Sequence, residues 1–505
     1  MRFIATRPIR NIAILSISLL LAACWIDRNT SEGSLETSLK PNAILIDNIT
    51  TIDGIHGARE QQYVVIAGDK ILYSGDDFSL AQTYAEEKET SHIDGTNKYL
   101  IPGLWDAHVH LSYTEGLDYR TFFPLSIAHG VTSLRDTGGH LELLAEARAD
   151  SKNNPLSPSL YVSGPLIDGP NAVYNGETPS FPDIAFSAAS PEEGKALVDK
   201  LAADGVDFIK AYEMLPSDVF KAVVKRAKYH QLPVAAHVPL SMTVQEAAEA
   251  GASDFQHLRN LEFSCSAMSD ELWHERMKML DAVDAPHGGT LRAAIHKSQR
   301  AKSVASIDGS ACDEVIQSLA DNRVFQTPTL AITRFFTRAL FKDKEWRETF
   351  SLIPAAVGDG WKERSSKLLG YAPSEEEWAY DNWMQSMIVE LHNNGVEIIA
   401  GTDAPIGFLT PGASLHQELF MLVEAGLSPL ETLKAATYTP AAFFGKEDEI
   451  GTIRQGMIAD LVILNSDPLD NIHAIADIEF VIKSGKVIDR HLMDELKLMP
   501  SSIGQ

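Results

Sequence analysis

Ile101-Pro102-Gly103-Leu104-Trp105-Asp106-Ala107-His108-Val109-His110 is the stretch on which the reading of this chain turns. An apolar run opened by Pro-Gly reads as a short, fully buried strand. Residues i and i+2 of a strand share a face, so His108 and His110 project side by side at its end. Neutral imidazoles at that spacing can share one divalent metal ion. Two histidines two apart are equally at home in an ordinary strand, so the rest of the chain decides between these readings.

Outward from this stretch, residues 101–445 alternate strand-like and helix-like segments. Candidate strands are Leu104–His110, Val131–Asp136, Ser159–Gly164, Asp207–Tyr212, Val234–His237, Asp254–His257, Val324–Thr329 and Glu397–Asp403, with helical stretches such as Pro191–Ala203, Asp218–His230 and Val244–Ala250 between them. Strands alternating with helices over this length predict an α/β fold, a (β/α)8 TIM barrel. Helical insertions at about 260–320 and 335–390 are placed to cover its site. Short strands with Asp-Gly and Gly-Asp turns fill 41–100, and a similar texture returns at 446–495. Together these segments predict a small β-sandwich domain formed from both ends of the chain.

The first residues read as a targeting segment. Arg7 and Arg10 precede an apolar run, Ile12 to Ala23, that is short for a membrane span and closes in Leu21-Ala22-Ala23-Cys24. This resembles a bacterial lipobox, which predicts a lipoprotein-type signal peptide at 1–23, lipidation of Cys24 and a polar tether at 24–40. An ordinary cleaved signal peptide is the alternative. Either way the protein is expected to be exported, as a periplasmic or outer-membrane lipoprotein of a bacterium. Cys265 and Cys312 are then free to pair in an oxidising compartment, although two cysteines fix no geometry. A formal charge of −26 argues against nucleic acid and anionic membrane surfaces as partners. That leaves a lipid anchor at Cys24 as the only expected membrane contact, and a homo-oligomer is the expected assembly.

In such a barrel the C-terminal ends of the strands face the active site. Metal-competent groups recur there: His108 and His110 on the first strand, Lys210 on the fourth, His237 on the fifth, His257 on the sixth and Asp403 on the eighth. Tyr212, two after Lys210, shares its face and is a candidate for hydrogen bonding the substrate. Arg135 and His140, after the second strand, are candidates for a terminal carboxylate, an ion pair with a neighbour being the alternative for Arg135.

These words resemble the amidohydrolase superfamily, and most of all its imidazolonepropionase-related and prolidase-like dipeptidase branch. The matching segments are Pro102 to His110, Gly130-Val131-Thr132-Ser133-Leu134-Arg135-Asp136, Ile209-Lys210-Ala211-Tyr212, Gly401-Thr402-Asp403-Ala404 and Gly451 to Val462. The resemblance implies a binuclear site of two divalent metal ions, usually zinc, bridged by a CO2-derived carboxylated Lys210. It further implies that His108, His110 and Asp403 hold the buried metal, and that His237 and His257 hold the exposed one. Asp403 would act as general acid/base for a metal-bridged hydroxide. The expected activity is hydrolysis of an amide in a dipeptide or N-acyl amino acid. Opening of a cyclic amide or lactone is the alternative within hydrolases, and a non-catalytic scaffold of the same fold is the alternative outside them.

Overall fold

The computed structural model describes residues 43–86, 89–178, 180–282 and 285–500. The predicted signal peptide, Cys24 and the tether lie outside the described residues. Among the described residues, no helix is long and apolar enough to cross a membrane.

The deciding stretch is two strands rather than one. Tyr99–Pro102 and Leu104–Val109 are separated at Gly103. A Cβ at Gly103 would overlap the Thr132 side chain, so only glycine lets the backbone pass this close. Tyr99–Pro102 belongs to an eight-stranded sheet built from both chain ends, where it lies between Ala43–Asp53 and Leu461–Leu464. That sheet continues through Gly57–Ala67 and Lys70–Gly75 on one side and Ile478–Lys483 and Lys486–Asp489 on the other. Thr90–Asp94 pairs in parallel with the first part of Ala43–Asp53. Ile46, Ile49, Val64 and Ile66 from the first half pack with Ile453, Leu461, Ile463 and Ile482 from the second.

Leu104–Val109 leads on into a parallel set. It pairs with Val131–Asp136, which pairs with Ser159–Val162. A second parallel sheet contains Leu166–Asp168, Ala185–Ser187, Ile209–Ala211, Val234–Ala236, Asp254–Gln256 and Phe325–Thr327. Every residue of Leu104–Val109 and Val131–Asp136 is buried, the pattern of parallel strands covered on both faces. Glu397–Asp403, expected as the last strand, forms no regular ladder. It is tied in by single parallel bridges, Gln326 with Ile398 and Val109 with Ala404.

Long helical segments follow Asp254–Gln256 and Phe325–Thr327. Helices Leu261–Ser264, Ser269–Leu280, Gly288–Ala305 and Gly309–Asp321 precede Phe325–Thr327. Cys265 and Cys312 form a disulfide that ties the first of these helices to the last. After Phe325–Thr327 come further helices, of which Glu375–Asn393 is the longest.

One buried carboxyl in this frame gives a pH signature. Glu418 of the Ala413–Glu424 helix accepts from the Ala331 backbone N–H at 2.6 Å, and burial pushes its pKa up to about 8. A raised carboxyl pKa contributes stability that is complete below the unfolded value of 4.5 and is lost as pH rises towards 8. The slope in that window is about 1.4 kcal/mol per pH unit. Glu418→Gln keeps the acceptor and abolishes the titration. Its melting temperature relative to the parent protein is therefore expected to rise between pH 5 and pH 8; a constant difference would refute the assignment.

Candidate active site

The ends of the parallel strands converge on a row of aromatic rings. His110 and His108 lie 5.3 Å apart between ring centroids, His108 and His257 4.8 Å, His257 and His237 4.6 Å, and His237 and Tyr212 4.2 Å. Asp403 sits against this row, with Oδ1 at 3.2 Å from His108 Nε2 and 3.0 Å from His110 Nε2, and Oδ2 at 3.9 Å from His257 Nε2. His108, His257 and Asp403 have ligand atoms close enough together to hold one metal ion.

The backbone is bent to deliver these groups. Asp403 has φ +73° and His257 φ +63°, in the left-handed region that costs a non-glycine residue free energy and is found where function demands it. Gly401 lets the last segment lie directly on the first strand. A Cβ there would come within 2.8 Å of His108 Cβ. This close approach also explains why Asp403 N–H reaches the His108 carbonyl at 2.8 Å.

Hydrogen bonds around the imidazoles fix their tautomers. His110 Nδ1 donates to the Gly138 carbonyl at 3.1 Å, and His237 Nδ1 donates to Glu213 Oε1 at 2.8 Å. The Thr329 hydroxyl donates to the Pro328 carbonyl, so at 2.5 Å it accepts from His257 Nδ1. His237 and His257 thereby keep an Nε2 lone pair free, the form that binds a metal; at His110 burial lowers the pKa, but Asp403, 3.0 Å from Nε2, outweighs it and raises the ring above its ordinary value. Burial pushes His108 down to about 3 and holds His237 and His257 well below the usual range, so the rings are neutral. Burial pushes Asp403 upward, but His108 and His257 outweigh it and hold the carboxyl well below its ordinary value.

Lys210 lies wholly buried on Ile209–Ala211, and its Nζ has no hydrogen-bond partner among the described residues. Burial holds its pKa well below the ordinary lysine value, with Asp254 and Asp403 opposing and Arg135 assisting. His108 Nδ1 is likewise buried without a partner. Two imidazoles with free Nε2 atoms, an ionised carboxylate and a buried, unpartnered amine of lowered pKa form a donor set suited to divalent metal and to carboxylation of the lysine.

Two of the expected substrate residues lie elsewhere. Arg135 is fully buried; it donates to Asp254 Oδ2 at 2.8 Å, to Thr327 Oγ1 at 3.1 Å and to the Ala107 carbonyl at 2.5 Å. It is an internal counter-ion, and no substrate carboxylate can reach it. His140 is exposed and lines a separate cavity of ≈ 820 Å³ with Tyr113, Arg364 and Phe408. Tyr212 does belong to the site, where its hydroxyl accepts from Arg292 at 3.1 Å.

Glu213 was not foreseen. Its buried carboxylate also accepts from His296 Nε2 at 2.7 Å, and it lies 3.4 Å from Arg259 and 3.6 Å from Arg292. It therefore orients His237 and anchors the Gly288–Ala305 helix beside the site. Its position three residues after Lys210 was the only sequence signal. A cleft of ≈ 630 Å³ leads outward from His257 and Asp403, lined by Arg259, Arg292, Arg300, Phe336 and Tyr380 among others.

Comparison with known proteins agrees with this geometry. The profile of the Amidohydrolase family matches residues 384–488. That segment matches the Amidohydrolase family, and the fold of the chain resembles that of other amidohydrolases. The protein is a hydrolase acting on carbon–nitrogen bonds. Ochratoxinase from Aspergillus niger is 25% identical over 461 residues, covering 84% of this chain and 82% of that protein. Among solved structures, a Xaa-Pro dipeptidase with bound methionine superposes with a TM-score of 0.62 at 19% identity, covering 88% of this chain and 100% of the other. Bottromycin amidohydrolase gives 0.65 at 22% identity, with 91% and 90% covered.

Two substitutions separate the roles assigned here. Arg135→Met leaves Asp254 buried and uncompensated, so a loss of about 3–5 kcal/mol of stability is expected in denaturant titrations. Unchanged stability with a raised KM would return Arg135 to the substrate. Glu213→Gln frees His237 to turn, and a 10–100-fold loss of metal affinity is expected by equilibrium dialysis. Unaltered affinity would reduce Glu213 to a packing role.

Proposed function

We propose that this protein is an exported, prolidase-like, metal-dependent amidohydrolase that cleaves the amide of a dipeptide or N-acyl amino acid. The observation that carries this reading is the buried cluster of His108, His110, His237, His257 and Asp403 around an unpartnered Lys210 amine, opening onto a cleft. We read the parallel strands as a closed (β/α)8 barrel. Asp207 N–H bonds the Val162 carbonyl between the two parallel sheets, and the bridges at Ile398 and Ala404 join the other edges. The terminal sheet is read as a small sandwich, since its two halves share one apolar core.

His108, His110 and Asp403 would hold one zinc ion, His237 and His257 a second, and carboxylated Lys210 would bridge them. When bound, such ions acidify a water and polarise the scissile carbonyl. Burial lowers the Lys210 pKa well below its ordinary value and so favours the neutral amine, which adds to CO2 with release of one proton; the carbamate so made is an anionic, two-oxygen ligand. Asp403 takes a proton from the attacking water and passes it to the departing amine nitrogen as the C–N bond breaks. Tyr212, its hydroxyl held by Arg292, orients the substrate beside His237.

Elemental analysis of the purified protein is expected to give two metals per chain, with a diffraction map showing carboxylated Lys210. One metal with an unmodified lysine would shift the reading to cyclic-amide opening, and no metal after reconstitution would overturn it. Asp403→Asn is expected to lower kcat about 10²–10⁴-fold. Failure to cleave any member of a broad Xaa–amino acid and N-acyl amino acid library would refute the substrate class. Export is supported by the leader sequence and by the Cys265–Cys312 disulfide, which suits an oxidising compartment. Cys24→Ser is expected to release the protein from the membrane fraction, and unchanged partitioning would refute lipidation.

A further inference from the structure

The wall of the cleft formed by the Gly288–Ala305 helix has a charge opposite to that of the chain as a whole. Arg292, His296 and Arg300 recur at i, i+4 and i+8, so they share one face and span roughly 12 Å along the helix. Lys297 is exposed on the same stretch, and Arg259 joins the wall from the strand end that carries His257. These four cations meet two carboxylates, the buried Glu213 and Glu262. The pairings are long: Arg259 to Glu213 at 3.4 Å, Arg292 to Glu213 at 3.6 Å and Arg300 to Glu262 at 3.7 Å. Lys297 has no ion pair among the described residues. Arg259 Nε and Arg300 Nε are buried without a hydrogen-bond partner. Arg259 and Arg300 are thus only loosely offset by Glu213 and Glu262, and Lys297 is unpaired, on a wall that the site opens onto, inside a protein of charge −26.

The opposite wall, from the Glu375–Asn393 helix and its flank, is different. Glu377 is engaged by the Tyr371 hydroxyl and the Ser374 N–H, and Asp381 is paired with Arg334. Glu376 alone has no partner among the described residues. Tyr380 is covered by the Arg300 guanidinium, 4.2 Å from its ring centroid.

We infer that the cleft selects amides whose amine half carries two acidic groups, as in dipeptides ending in glutamate or aspartate. This rests on the hydrolase reading above. One carboxylate needs only the inner pair, Arg259 and Arg292, which abut Tyr212 and Glu213 beside the site. Just over one turn further along the helix, Lys297 remains to bind a second, with Arg300 about a turn beyond it. A substrate lysine or arginine would instead meet this positive wall, so basic residues at that position are disfavoured.

The test compares Ala-Glu, Ala-Gln and Ala-Lys, both as substrates and as ligands in calorimetric titrations of the metal-loaded full-length protein. At low ionic strength, Ala-Glu is expected to be preferred to Ala-Gln by about tenfold, mainly through KM, and Ala-Lys to be poorest. The preference is expected to shrink in 0.5 M salt and to approach one in Lys297→Gln/Arg300→Gln. Equal handling of Ala-Glu and Ala-Gln by the parent protein, in binding as well as turnover, would overturn the inference while leaving the hydrolase intact. Tenfold tighter binding of Ala-Glu with no cleavage of any amide would support the wall and count against the proposed reaction. If the double variant fails to fold, the salt dependence of the parent protein's ratio decides, and a ratio unmoved by salt overturns the proposal.

Discussion

An ionised carboxylate held among buried imidazoles is the constraint from which the rest of the architecture follows. Asp403 cannot remain charged in an apolar interior without close partners, since an unpaired buried charge costs several kcal/mol or more. His108 and His110 supply those partners at hydrogen-bond distance, but only if the last parallel segment lies directly on the first. Gly401 makes that approach sterically feasible, and the left-handed turn at Asp403 aims the carboxylate back at the rings. The irregular pairing of Glu397–Asp403 is therefore part of the site. A regular strand there would point its last side chain elsewhere.

Beneath the imidazoles a second layer of charge keeps the interior solvable. Arg135 and Asp254 neutralise each other where the strands converge, and both influence Lys210. Were Asp254 to pair with Lys210 instead, the amine would be a cation and closed to CO2. Burial lowers the Lys210 pKa, and because Arg135 takes that carboxylate the amine is left unpartnered. The same division of labour appears at Glu213, which spends its negative charge on Arg259, Arg292 and His296 while accepting the proton of His237 Nδ1.

The ligand-type residues were legible in the sequence because each closes a short apolar run: His108 and His110 after Leu104–Ala107, His237 after Val234–Ala236, and Asp403 after Ile398–Ala400. Period-two logic places such residues at strand ends with little ambiguity. Arg135 defeated the same logic. It stands one residue before the end of Val131–Asp136, and whether a side chain at that level points to the mouth or to the interior depends on register across three strands, which one sequence does not state. The division of the opening stretch at Gly103 was hidden for a related reason, since the steric demand comes from Thr132 on a neighbouring strand. Glu213 and the cations of Gly288–Ala305 carry no local motif, because they acquire meaning only when an insertion folds over the strand ends.

That insertion is where chemistry and selectivity become one problem. The Gly288–Ala305 helix is fixed from below by His296 on Glu213 and flanked by helices joined through Cys265 and Cys312. Glu213 is also the residue that sets the tautomer of His237. Changing the inner cations of the cleft must therefore change the field on Glu213, and through it the orientation of a ring in the metal-binding row. The outer cations, Lys297 and Arg300, make no contact with Glu213. Variation in substrate preference is thus least costly at the exposed, unpaired Lys297 and costly at Arg292 and Arg259, where the same carboxylate serves both the wall and the site.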